Sequence, residues 1–220
     1  MFLVLEGSEG SGKTTQINLT VEWLQSLGYK VAKTKEPGGE DSIGSVIREL
    51  LINPDIEIDP ITELFLYSTD RANHIQKVIN PSLVKNDCLI CDRFLLSTIV
   101  YQGYGRKINK DLIHKCIEIS ISNLNENITP IYIWIDGDIK QFLSRKKNKD
   151  RIEQEELNFH QSVYEGYKEL HQEYPSVIFR VNGNQSPLDL QGDIRKVIVN
   201  LSKAGYLNDP FYLQDFVNNV

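Results

Sequence analysis

The chain reads as an α/β protein: a parallel five-stranded sheet flanked by helices on both faces. Three observations predict this. Short apolar runs alternate with helical stretches along the chain. The runs are near-continuously apolar and rich in β-branched residues, as strands covered on both faces are. The first of them leads straight into a Gly-rich loop that opens a helix, the usual start of a nucleotide-binding sheet.

The strand candidates are Phe2–Leu5, Tyr29–Lys33, Cys88–Cys91, Ile131–Ile135 and Val177–Val181. The first helix is expected from Thr14, because Ile17, Val21, Leu24 and Leu27 recur at helical spacing and Gly28 offers a stop. Further helices are expected over Ser42–Leu51, Pro60–Lys85, Lys110–Asn123, Gln154–Tyr174 and Pro187–Ala204. Ligands of such sheets bind at the carboxyl ends of the strands. That rule gathers the loop at Gly7, the stretch Lys35–Gly39, the pair Asp92–Arg93 and Asp136 at one end of the fold.

At 220 residues the chain is expected to form one domain, 1–220. A chain of that size buries about 70% of its unfolded surface. Two stretches break the rhythm: 144–155 is dense in charge, and 205–220 is an aromatic tail with Tyr206, Phe211, Tyr212 and Phe216. Forty per cent hydrophobic and 25% charged residues is an ordinary globular composition. No apolar run approaches the roughly 18 residues of a membrane span. Met1 carries no basic flank and the first apolar run stops at Glu6, so no signal peptide is expected and the location read is cytoplasmic. A net charge of −6 disfavours nucleic acid as a partner.

Cys88, Cys91 and Cys116 form no even disulfide framework. Cys88 and Cys91 have the C-x-x-C spacing of some zinc and redox sites. They stand on a strand, however, where residues three apart face opposite ways, so the pair is expected to belong to the core.

The stretch Gly7–Thr14, GSEGSGKT, fits G-x-x-x-x-G-K-[ST], the phosphate-binding P-loop. Backbone N–H groups of such a turn close around phosphate oxygens, and the following helix adds the positive end of its dipole. Gly7, Ser8, Glu9, Gly10, Ser11, Gly12, Lys13, Thr14 and Thr15 are therefore expected to bind ATP. Lys13 would reach the β- and γ-phosphates, and the Thr14 hydroxyl would hold Mg²⁺. Asp92, after four apolar residues, has the Walker-B placement that completes such a metal site. Arg93 beside it is a candidate phosphate clamp, since guanidinium pairs with phosphate oxygens two at a time. The run with Arg145, Lys146, Lys147, Lys149 and Arg151 suggests a basic lid over about 144–155 that closes on the nucleotide.

These motifs carry a resemblance. Glu36-Pro37-Gly38-Gly39, Asp92-Arg93-Phe94, Tyr101-Gln102-Gly103-Tyr104-Gly105-Arg106 and Asp150-Arg151-Ile152-Glu153 stand in the order found in thymidylate kinases, and Leu64–Ile75 resembles that family's segment ending in an arginine and a histidine. The resemblance runs from Phe2 to about Leu201 and points to the bacterial type, with a P-loop kinase fold and its catalytic arginine in the lid. It implies that Glu9 contacts the sugar 3′-OH of the acceptor nucleotide. Arg71 and Gln102 would bond the thymine, Tyr67 would stack on it, and Tyr101 would crowd the 2′ position. Arg48 and Arg93 would hold the acceptor phosphate, with Glu36 and Ser97 also among the substrate-binding residues. Lys13, Arg93 and Arg151 would be catalytic, Arg151 as the lid's arginine finger. The implied partners are ATP, dTMP and a second copy of the chain in a homodimer. Lys35, Glu40, Phe94 and Leu96 depart from the family pattern, where arginine, threonine, a polar ring and a polar residue are usual.

The reaction so implied is transfer of the γ-phosphoryl group of Mg·ATP to dTMP, giving dTDP for dTTP synthesis. The acceptor phosphate has a second pKa of about 6 and is already ionised near neutral pH, so no general base is required. Two alternatives stay open from sequence. One is another nucleoside monophosphate kinase or a deoxynucleoside kinase, with Glu36 as the base that a neutral hydroxyl would need. The other is a nucleotide-dependent regulatory switch. Guanine-reading N-K-x-D would then be expected, but Asn109-Lys110-Asp111 is followed by Leu112.

Overall fold

The structure is a computed structural model and describes residues 1–38, 41–145 and 150–203. Gly39, Glu40, Lys146, Lys147, Lys149 and the aromatic tail 205–220 lie outside the described residues. The chain runs β1 (Phe2–Glu6), α1 (Lys13–Ser26), β2 (Val31–Lys35), α2 (Ser42–Ile52) and α3 (Pro60–His74). A π-helical turn, Ile75–Ile79, continues α3 into α4 (Asn80–Lys85), followed by β3 (Cys88–Asp92) and α5 (Leu95–Thr98). A second π-helical stretch, Ile99–Gly105, precedes α6 (Lys110–Ile121), β4 (Pro130–Asp136) and α7 (Ile139–Ser144). The order closes with α8 (Leu157–Glu173), β5 (Ile178–Asn182) and α9 (Pro187–Lys203).

Among the described residues the strands form one five-stranded sheet in the order β2-β3-β1-β4-β5, with every pairing parallel. Both faces of the three central strands, β3, β1 and β4, are buried, which is why they read as continuous apolar runs, whereas the edge strands β2 and β5 are partly exposed. Phe2, Val4, Leu89, Cys91, Tyr132 and Trp134 point into one core, shared with Leu64, Val100, Phe159, Val163 and Tyr167. Leu3, Leu5, Cys88, Ile90, Ile133 and Ile135 point into the other, shared with Ile17, Leu24, Ile194 and Ile198. Cys88 and Cys91 thus lie on opposite sides of the sheet, both buried as free thiols. The opposite-face expectation holds.

The same division places the ligand crevice. After β1 the chain leaves to α1 on the second face, and after β3 it leaves to α5 on the first. Adjacent parallel strands whose connections depart to opposite faces leave a cleft between their carboxyl ends. The P-loop and the residues from Asp92 onward border it.

Of the differences from the expected elements, three have a clear local reason. β2 begins at Val31 rather than Tyr29, because Gly28, at φ +91°, reverses the chain and Tyr29 N still bonds the α1 carbonyl of Leu24. The helix expected over Pro60–Lys85 contains the π-helical turn just before Pro81, a residue with no N–H to give an α-helical ladder. α8 starts at Leu157, not Gln154, because the preceding residues make a separate capped turn. In it Glu153 N donates to the Asp150 carboxylate and Asp150 N to that of Glu153.

Candidate active site

The P-loop folds around its own lysine. Lys13 Nζ donates to the carbonyls of Gly7 and Ser8 at 3.0 and 3.1 Å. Burial lowers its pKa from the ordinary lysine value, and neighbouring Arg93 lowers it further. Gly10 has φ +75°, and a Cβ there would lie 2.0 Å from the carbonyl oxygen of Phe142 on α7. Only glycine fits where the loop meets α7. The cradle's N–H groups and the start of α1 face a cavity of about 1390 Å³.

Thr14 Oγ1, at the start of α1, donates to Asp92 Oδ2 at 3.1 Å. A hydroxyl and a carboxylate converging beside a phosphate loop form a hard-oxygen pair. That suits Mg²⁺, which keeps waters and phosphate oxygens as its other ligands. No cluster of three or more His, Cys, Asp or Glu able to hold a metal exists among the described residues.

Arg93 follows β3 with φ +73°, a left-handed conformation that is rare for a residue with a side chain. Its guanidinium pairs with Glu9 of the P-loop, bonds Ser97 Oγ at 3.1 Å and Tyr167 Oη at 3.3 Å, and lies over the Tyr101 ring at 4.9 Å. Tyr101 Oη also donates to Glu9, at 3.2 Å. Glu9, Arg93, Ser97 and Tyr101, widely separated in sequence, thus meet in one corner. Behind them stands Glu6, which sequence reading treated only as the end of an apolar run. Fully enclosed, it accepts from Phe94 N, Ser97 Oγ and Tyr167 Oη at 2.9, 2.6 and 2.8 Å.

At the other end of the cavity, α3 presents Glu63, Tyr67 and Arg71 at a spacing of four, hence on one face. Arg71 Nε donates to Glu36 at 2.9 Å and Nη2 to the Phe94 carbonyl at 3.1 Å, while buried Nη1 has no hydrogen-bond partner among the described residues. His74 Nδ1 bonds the other oxygen of Glu36 at 3.0 Å. Glu36 is therefore committed to two partners. Gln102 gives its amide N–H₂ to Glu63 at 2.9 Å. Tyr67, Arg71, Tyr101 and Gln102 all line the cavity.

Between the two ends lie paired cations. Arg48 Nη1 donates to the Pro37 carbonyl at 2.6 Å and crosses Gly38, where an added Cβ would meet its side chain at 2.5 Å. Lys35 also lines the cavity, its pKa lowered chiefly by Arg48 and then by burial. Two positive groups held side by side at the cavity offer a place for an anion. Of the departures from the family pattern, Leu96 is in the core away from the cavity, whereas Phe94 borders the cavity, with its ring edge-on against Phe2 and under the Arg71 guanidinium.

The two described arginines of the charged stretch 144–155 stand in different places. Arg151 is not brought to the P-loop. Its Nε donates to the Leu51 carbonyl at 2.9 Å and its Nη1 pairs with Glu63 at 2.7 Å. Arg145, which the sequence offered only as part of a charge run, reaches the P-loop by donating to the Gly10 carbonyl at 3.1 Å. Glu63 and Arg145 share a lesson: both look like solvated helix or lid charges until packing places them.

A phosphate cradle that opens onto a broad, half-open cleft lined by cations is that of a P-loop phosphotransferase. Known proteins narrow the class. The sequence matches the thymidylate kinase family over residues 5–194. It is 42% identical over 203 residues to the thymidylate kinase of Trichormus variabilis, covering 90% of this chain and 94% of the relative. To that of Exiguobacterium it is 37% identical over 198 residues, covering 88% and 92%. The fold is similar to the crystal structure of thymidylate kinase from Ehrlichia chaffeensis, with TM-score 0.72 and 30% identity over 90% of this chain and 97% of that one. This chain belongs to the thymidylate kinase family.

Asp70 braces the acceptor loop from α3: both carboxylate oxygens accept from Gly38 N at 3.1 Å. Burial, with Glu36 nearby, raises its pKa to about 6. Between about pH 4 and that value the folded protein keeps a proton that the unfolded chain releases. The resulting penalty is absent below about pH 4, grows to about pH 6 and is constant above. Asp70→Asn should lack it, so the variant gains stability relative to wild type as pH rises through this window. Thermal melts across pH 4 to 7 check this; a pH-independent difference removes Asp70 from the balance.

Proposed function

We propose that the chain transfers the γ-phosphoryl group of ATP to dTMP, forming ADP and dTDP, with the two substrates meeting in the single cavity described above. The carrying observation is the continuity of that cavity from Lys13 in the P-loop, past Lys35, Arg48 and Arg93, to Arg71 and Gln102. Thr14 and Asp92 would hold Mg²⁺ as part of the Mg·ATP substrate, where the metal supplies charge neutralisation between the phosphates. Lys13 would hold the β- and γ-phosphates, and Arg48 and Arg93 the acceptor phosphate. The problem for catalysis is to bring two anions together in line, which fixed cations do without a proton shuttle. Glu36 bonds Arg71 and His74, which argues against its service as the base of a nucleoside kinase.

The deciding assay is ADP release with Mg·ATP and a panel of dTMP, dUMP, UMP, dCMP, AMP and thymidine. dTMP is expected to give the highest kcat/KM; preference for another acceptor, or GTP hydrolysis without one, overturns the reading.

We assign the lid's phosphate-facing cation to Arg145 rather than Arg151, because Arg145 already bonds the P-loop backbone. A charge that acts on the moving phosphoryl group is worth on the order of a thousandfold in rate. Arg145→Ala should therefore lower kcat on that order with KM for dTMP little changed. Arg151→Ala should act mainly through KM for dTMP and thermal stability. Steady-state kinetics on both variants separate the roles, and the reverse pattern returns the role to Arg151.

The homodimer is also part of the proposal. On α2, Ile43, Val46 and Leu50 are exposed on one face, and neighbouring α3 exposes Ile61 and Phe65. Such a contiguous apolar face suits a self-complementary contact. Sedimentation should show a dimer that Val46→Asp with Phe65→Asp converts to a folded monomer; a monomeric wild type overturns it. No helix among the described residues is long and apolar enough to cross a membrane. We place the enzyme in the cytoplasm, consistent with three buried cysteines kept as free thiols.

A further inference from the structure

Glu63 lies on α3, is fully enclosed, and has no role in the reaction as described so far. Its carboxylate accepts from Arg106 Nε and Nη2 at 3.1 and 3.0 Å, from Arg151 Nη1 at 2.7 Å, and from Gln102 Nε2 at 2.9 Å. A carboxylate bonded to two guanidinium groups has acceptors only. The Gln102 amide, which has one donor end and one acceptor end, can meet it only with the N–H₂. The acceptor end, Oε1, is then left for the cavity that Gln102 lines. The same cavity is lined by Arg71, whose buried Nη1 has no hydrogen-bond partner among the described residues and is a donor that cannot be reversed.

We infer that Glu63 is a specificity-positioning residue: by locking the Gln102 amide it makes the cavity wall read acceptor-then-donor, and so selects 4-oxo over 4-amino pyrimidine monophosphates. The inference rests on the dTMP kinase reading above. A 4-oxo pyrimidine offers N3–H to Gln102 Oε1 and O4 to Arg71 Nη1. A 4-amino pyrimidine presents the opposite pattern, an acceptor at N3 and donors at N4, and meets a mismatch at both positions. Buried mismatches of this kind discriminate strongly because each leaves polar groups unpaired. A free Gln102 could turn its amide over and bond the 4-amino base at N3. Glu63 prevents that rotation from behind, touching no substrate atom.

The experiment compares kcat/KM for dTMP and dCMP in wild type, Glu63→Gln and Arg106→Gln. Glu63→Gln has nearly the same shape but can itself donate, so it permits the reversed amide. The dTMP/dCMP ratio should narrow by about tenfold or more, through a rise for dCMP as well as a fall for dTMP. Arg106→Gln removes an ion pair to Glu63 but leaves the amide locked, so its ratio should match wild type even if its melting temperature falls. If Glu63→Gln does not fold, Glu63→Asp keeps the charge, withdraws it from Gln102 by one methylene, and should narrow the ratio in the same sense. An unchanged ratio in the folded Glu63 variant overturns the inference, as does equal narrowing in Arg106→Gln. A wild type without preference for dTMP over dCMP overturns the functional reading instead.

Discussion

The site is organised around one buried contact, the Arg93 guanidinium against the carboxylates of Glu6 and Glu9. Glu6 ends the central strand, Glu9 belongs to the P-loop, and Arg93 follows the neighbouring strand, so the contact joins both rims of the crevice. Arg93 N also donates to the Leu5 carbonyl at 3.0 Å, extending the parallel pairing by one step before the chain turns away. The positive φ of Arg93 costs on the order of 1 kcal/mol, and it persists because the surrounding bonds hold it there. Removing one member of a buried charged cluster costs several times more, about 3–5 kcal/mol. The two strands, the P-loop and Tyr167 of α8 are therefore held in one arrangement before any substrate arrives.

A second set of buried acids works similarly along the acceptor side. Glu36 takes Arg71 and His74; Glu63 takes Arg106, Arg151 and Gln102. In each group the acid orients a donor or an amide that lines the cavity, Glu36 from the cavity wall itself and Glu63 from behind it. The cost of desolvating these charges is met at folding, not during the reaction, which is the condition for electrostatic catalysis by fixed groups. It also explains a protein with net charge −6 that handles polyanions: several acids are paired with cations, while Lys35 and Arg48 remain against the cavity.

Much of this was legible in the sequence. The P-loop motif, the strand–helix alternation, the place of Asp92 at the end of a strand and the opposite facing of Cys88 and Cys91 follow from spacing, because strands repeat every two residues and helices every 3.6. Glu63 had a signal, since it lies four and eight residues before Tyr67 and Arg71 on one helix face. Composition alone hid it, because a glutamate in a helix is ordinarily solvated. Arg151 shows the converse. Its motif was recognisable, but its ion pair is with a residue 88 positions earlier, and no local pattern encodes that.

The sequence by itself determined which elements form, in what order, and which end of the sheet carries the chemistry, since those depend on short-range periodicity and on the fixed handedness of parallel connections. Only the tertiary structure decided which acids oppose which cations. Arg93 meets Glu9 across 84 residues of chain and Tyr167 meets Glu6 across 161. Pairings at that distance are selected by the burial that packing imposes, because an enclosed charge must find whatever partner the fold brings beside it.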